Sequence, residues 1–140
     1  SHPPEKLVDL INAMEREKSD IVVGSRLIKG GKVEEWPFFR RMTSFIARSL
    51  SKPIVPIKDS MSGFFIFKKK IIKNVTLRPK GYKILLEILV KSNAKKIIEV
   101  PYVFRNRSVG ESKLNAKIYI QYLSHLFNLY LYKIGEKFKK

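Results

Sequence analysis

The chain has 140 residues, 44% of them hydrophobic, enough for one domain with its own core and too apolar for a disordered tail. Its 29 Lys and Arg against 12 Asp and Glu leave a net charge of +17, so an anionic partner or surface is expected: nucleic acid, anionic lipid or a phosphorylated substrate. The absence of cysteine excludes a disulfide frame and a thiolate metal site, and two histidines far apart, His2 and His125, do not suggest a zinc site.

No signal peptide is visible, and the chain opens on Ser rather than Met, so it reads as a fragment or a processed chain. Pro4 suits a first helical turn and Glu5 its positive end. Leu7, Leu10, Ile11 and Met14 recur at helical spacing, which predicts an amphipathic helix over 4–17. The β-branched run Asp20-Ile-Val-Val-Gly24 predicts a buried strand. Arg26 follows at its carboxyl end, where open α/β sheets gather ligands, although an ordinary surface arginine fits there equally. Lys29-Gly-Gly-Lys32 reads as a flexible loop.

A second helix is predicted over 36–51, with Pro37 in its first turn and Phe38, Met42, Phe45 and Ile46 along one face. That face serves either a protein core or a membrane surface. Arg40 and Ser44, four apart, point the same way and could share one anion. Lys52 to Ile57, with two prolines, reads as an extended connector. Asp59 precedes a Ser-Gly turn into a strand over 63–67. Its carboxylate could contact a sugar or a metal-bound water, or simply cap its own turn.

A short element from Lys68 runs to near Pro79, and a third helix follows over 81–92. There Lys83 and Glu87 are spaced to pair across one turn. A strand is predicted over 96–104. It leads into Arg105-Asn-Arg-Ser-Val-Gly-Glu-Ser-Lys-Leu114, a turn whose cations suit a phosphate and whose Gly110 permits close approach, or else a solvated basic loop. The last helix, 115–140, carries Gln121, Ser124, His125 and Asn128 as a narrow polar stripe among Ile, Leu, Tyr and Phe. It is too interrupted to span a bilayer, which takes about 20 apolar residues. Its tyrosines (Tyr119, Tyr122, Tyr130 and Tyr132) and Lys-rich end suit a helix lying in the lipid–water interface.

Five segments then occur in order: Val23-Gly-Ser-Arg26, Asp59-Ser-Met-Ser-Gly-Phe64, Gly81-Tyr-Lys-Ile-Leu-Leu-Glu87, Glu99-Val-Pro101 and Arg107-Ser-Val-Gly-Glu-Ser-Lys-Leu114. Together they resemble the dolichol-phosphate mannosyltransferases, inverting enzymes of the GT-A glycosyltransferase fold. The resemblance runs from residue 1 to about 130 and implies an α/β chain, the carboxyl-terminal part of a GT-A domain with amphipathic membrane-interface helices. Residues 1–114 would form the acceptor-binding half and 115–140 the interface helix. His2-Pro-Pro-Glu5 matches only the segment trailing the family's Asp-x-Asp metal motif, so the nucleotide-holding half and most ligands for Mg²⁺ or Mn²⁺ fall outside this chain. Ser1 alone cannot hold a divalent ion.

By the same resemblance, Arg26, Arg40, Ser44 and Arg107 match positions binding the phosphate of a polyprenyl (dolichyl) phosphate acceptor, with Ser112 and Lys113 on the same loop. Asp59 matches an acid facing the donor sugar and diphosphate, the catalytic candidate. In the implied reaction the lipid phosphate attacks C1 of mannose in GDP-mannose, the arginines position that nucleophile, and the metal stabilises the departing diphosphate. The nucleotide sugar would be bound through the missing half, at the cytoplasmic face of a membrane. A glucosyl transferase of the same class and a non-catalytic basic membrane-binding module remain alternatives. Nucleic acid has no recognised motif here and is not the expected partner.

Overall fold

One central strand divides the molecule into two apolar layers. The computed structural model describes residues 3–34, 36–78, 84–105 and 116–139. All five residues of strand β1, Ile21–Ser25, are buried, as a run without polar alternation requires when both sheet faces are covered. The strand β3, Phe65–Phe67, pairs with it antiparallel (Ile21 opposite Phe67), and β4, Ile97–Pro101, pairs parallel on its other edge (Ile21 opposite Ile97). A small parallel pair, β2 (Lys32–Val33) and β5 (Val103–Phe104), extends the same end of the structure. The strand expected over 96–104 is thus two, broken at Tyr102, whose N–H donates to the Ser25 carbonyl and whose carbonyl accepts from Lys32 N–H.

Side chains alternate across β1. Val22 faces helix α1, Glu5–Glu17, and packs with Leu10 and Ala13. Ile21 and Val23 face the larger core with Leu85, Leu86 and Ile88 of α3 (Ile84–Lys91) and Leu126 and Leu129 of α4 (Ala116–Phe138). The result is a mixed α/β sandwich of helix, sheet and helices. Gly24 lets the rings of Phe64 and Tyr102 close over the strand, since a Cβ there would lie 2.7 Å from Phe64 Cδ1.

Three expectations change. Lys52–Ile54 is a 3-10 turn rather than extended chain, because Pro53 sits in its first turn, where no N–H is needed. The predicted apolar face of helix α2, Phe38–Ser51, does not serve the core: Phe38 is 78% exposed and Phe39, Met42, Phe45 and Ile46 also face outward, while Ser51 is fully buried and Ala47 packs against the core. On α4 the buried face is Tyr122, His125, Leu126 and Leu129, so His125 belongs to the core side and not to a solvent stripe with Ser124 and Asn128, which are exposed. Tyr122 and Tyr130 likewise turn inward, donating to the carbonyls of Ala47 and Leu50 on α2, and Lys133 Nζ donates to Ile54 O. Ile120, Leu123, Phe127, Leu131, Ile134 and Phe138 form the outer face instead. Among the described residues, no helix is long and apolar enough to cross a membrane.

Candidate site at the carboxyl end of the central strand

The chain leaves β1 through Ser25 and enters the site at Arg26, which is 9% exposed. Gly31 makes room for the returning loop, since a Cβ there would sit 2.5 Å from the Ser25 carbonyl and 2.8 Å from the Arg26 carbonyl carbon. Arg26 meets Asp59, which is fully buried. Nη2 donates to Oδ1 at 2.7 Å, Nε donates to Oδ2 at 2.8 Å, and the Arg26 backbone N–H donates to Oδ2 at 2.9 Å. A two-pronged pair of this kind fixes both planes at once. Burial lowers the Arg26 pKa, and the hydrogen bond and charge of Asp59 outweigh it, leaving the guanidinium above its ordinary value.

The Asp59 carboxylate therefore does not cap its own turn. The Ser62 N–H reaches the Asp59 carbonyl instead, at 3.3 Å. The turn is held from three sides. Glu99 on β4 accepts the Lys58 and Asp59 N–H groups, Ser62 Oγ donates to Gly24 O on β1, and Ser60 Oγ shares a hydrogen bond with Ser51 Oγ on α2.

Trp36 gathers the cations. The guanidinium of Arg40 lies 4.2 Å from its ring centroid and that of Arg26 lies 5.3 Å away, with Phe104 edge-on to the indole at 5.6 Å. The Trp36 Nε1 is buried and has no hydrogen-bond partner among the described residues. Two expected acceptor residues, Arg26 and Arg40, thus both lie against the Trp36 ring, and Ser44 lies one turn further along α2. Arg107, Ser112 and Lys113 lie outside the described residues, as does Lys83. Glu87 pairs with Lys91, four residues on, at 2.8 Å.

Sequence reasoning passed over Arg48 and Trp36. Arg48 continues the Arg40–Ser44 spacing by one more turn, a signal that could have found it, and its Nε donates to the Ser44 carbonyl at 3.1 Å. Burial lowers its pKa, with Asp59 opposing and the like charge of Arg26 adding to the fall, so Arg48 feels the same site. Nothing in the spacing of Trp36, at the start of the predicted second helix, marks it as a seat for guanidinium groups. Among the described residues no three His, Asp or Glu side chains gather to hold a metal ion, and Asp59 has committed both oxygens to Arg26. The described residues do not fit a divalent-ion site.

No protein-family model matches the chain. Its similarity to curated proteins is extensive. It is 46% identical over 132 residues to a dolichol-phosphate mannosyltransferase of Pyrococcus furiosus, covering 91% of this chain and 37% of that protein. It is 38% identical over 143 residues to a dolichol-phosphate mannosyltransferase of Saccharomyces cerevisiae, covering 96% and 53%. A polyprenol monophosphomannose synthase of Mycolicibacterium smegmatis is 30% identical over 122 residues, covering 82% and 46%. The chain is a homologue of polyprenyl-phosphate mannosyltransferases. The nearer likeness within that class is to the dolichol-phosphate mannosyltransferases, and the chain spans about half or less of the length of these relatives.

Proposed function

We propose that this chain is the acceptor-binding part of a GT-A glycosyltransferase that moves mannose from GDP-mannose to a polyprenyl phosphate of the dolichyl type, with inversion. One observation carries the reading: Arg26 and Arg40 stand over the same indole, beside an N–H that has no partner among the described residues. Such a spot is rich in donors and fixed positive charge, which suits a lipid phosphate. The homologues' names point to the same acceptor and sugar.

In this reading an acceptor phosphate oxygen forms the bond to C1 of mannose as the bond from C1 to the GDP oxygen breaks, and GDP leaves with that electron pair. The phosphate is already anionic, so no strong base is needed and orientation is the main task. Arg26, fixed by Asp59, and Arg40, lying over Trp36, hold the nucleophile. Ser44, Arg107, Ser112 and Lys113 would complete the acceptor set. Asp59 acts through Arg26 and, by the family resemblance, is the acid assigned to the donor sugar and diphosphate. The nucleotide sugar and the Mg²⁺ or Mn²⁺ expected for the whole enzyme are assigned to sequence outside this chain. No step is routed through the metal. The outward apolar faces of α2 and α4, in a chain of +17, support work at a membrane surface on its cytoplasmic side.

The test is acceptor and donor kinetics of the full-length protein. Arg40→Ala should raise the acceptor KM about 10- to 100-fold, from the roughly 1.5–3 kcal/mol of a lost charge-assisted bond, with donor KM near normal. Arg40→Lys should recover only part, because the planar fork is gone. Equal weakening for both substrates would move Arg40 to the diphosphate side. No transfer by the unaltered full-length protein would leave the non-catalytic module.

A further inference from the structure

Beyond the Trp36 cluster, the carboxyl-terminal half of α2 borders a second place for an anion. A cleft of about 570 Å³ opens there, with Leu27, Phe45 and Val55 in its wall and Arg48, Lys52 and Lys58 around it. Among the described residues, no acidic side chain lines it. Among the described residues, none of these three cations makes an ion pair. The nearby carboxylate, Glu99, is engaged by the backbone N–H groups of Lys58 and Asp59. Arg48 is half-buried, and its hydrogen bond among the described residues uses Nε. Asp59 offsets part of the charge at Arg48, but three cations around one cleft with no ion pair of their own among the described residues still repel one another, and an anion between them would relieve that repulsion.

The wall says what kind of anion. Phe45 borders the cleft and also belongs to the outward apolar face of α2 with Phe38 and Met42. A ligand with its charge among the cations would find a continuous apolar path for a chain. A small soluble anion would leave that path exposed to water. We propose that the cleft seats the phosphate head group of an anionic membrane phospholipid, with Arg48, Lys52 and Lys58 on the phosphate and Phe45 along its acyl chains. The site rests on the cleft and not on the sugar-transfer reading. It would set how the protein as a whole is turned at the bilayer, which apolar burial alone leaves loosely defined.

The experiment titrates the full-length protein in nonionic detergent with dihexanoyl phosphatidic acid, read by calorimetry. The variant Arg48→Gln/Lys52→Gln/Lys58→Gln is compared with Lys69→Gln/Lys73→Gln/Lys95→Gln. The second triple removes the same charge from exposed residues near Asp20, at the opposite end of β1. Saturable binding is expected, weakened about tenfold or more by the cleft triple and no more than about twofold by the other. Lys52→Gln/Lys58→Gln, confined to exposed side chains, should still cost about threefold. Inorganic phosphate should bind at least about tenfold more weakly than the phospholipid, for lack of chains to bury. Equal losses in the two triples would reduce the effect to net charge and overturn the site, as would inorganic phosphate binding equally well or the absence of saturation. Displacement of the phospholipid by a short polyprenyl phosphate would assign the cleft to the acceptor and overturn it too. Sugar transfer is not the readout, so failure here leaves the transfer reading standing.

Discussion

Asp59 and Glu87 are both fully buried carboxylates, each bonded to a cation, yet they are built differently. Asp59 meets a guanidinium fork and a backbone N–H with both oxygens engaged, and its partner Arg26 is also buried. Glu87 places its Oε1 against Lys91 Nζ and the Arg78 N–H, while its Oε2 faces His125 Nε2 on α4 at 3.6 Å, beyond hydrogen-bond length. Lys91, on its flexible stem, lies near the surface, and its Nζ is 5.3 Å from the Tyr132 ring centroid. The first pair has one geometry open to it. The second can give. A rigid pair at a sheet end suits a site that must hold a nucleophile still, whereas an adaptable one suits a helix joint.

The largest test removes one carboxylate from each pair. Asp59→Ala leaves Arg26 as an uncompensated buried charge and should cost about 3–5 kcal/mol in urea unfolding. Glu87→Ala should cost about 1–3 kcal/mol, mostly for the Arg78 N–H and lost packing, because Lys91 can swing to water. Equal costs would erase the distinction between the pairs.

A smaller effect sharpens the α4 side. Burial pushes the Tyr122 phenol up to about 12, and its hydroxyl donates to the Ala47 carbonyl. Tyr122→Phe should lose about 0.5–1.5 kcal/mol near neutral pH. Because the folded value lies above the ordinary phenol value of about 10, this contribution is whole below that pH and fades as pH rises towards about 12. The gap between the two proteins in chemical unfolding should therefore narrow across that range. A constant gap would place the phenol in a wetter setting than its burial indicates.

Much of the frame was legible. Apolar spacing marks α1 and α2 within a residue or two, and the β-branched run marks β1. The side of α4 that would dock was not, since apolar residues surround most of it and periodicity then loses its contrast. His125 read as part of a polar stripe because its charged neighbour, Glu87, comes from a distant helix. The same limit hid the Arg26–Asp59 pair, in which each residue was found singly but their meeting depends on β1 and the Asp59 turn being brought together. The arginine spacing along α2, in contrast, is local and extends plainly to Arg48.

The arrangement of the central strand also sets an order of events. Ile21 finds its first partner when Phe67 has been synthesised, but its second edge stays open until Ile97 and its neighbours emerge. Among the described strands, then, β1 and β3 can pair during synthesis while the β4 edge of β1 is still open, and a two-stranded ribbon is marginal by itself in water. Closing the sheet requires a long loop to be drawn in against its entropy, which makes this pairing slow compared with the helices that cover it. A nascent chain of this topology is most exposed to sticking to its neighbours in the interval before β4 arrives, and a chaperone's hold on it would matter most there.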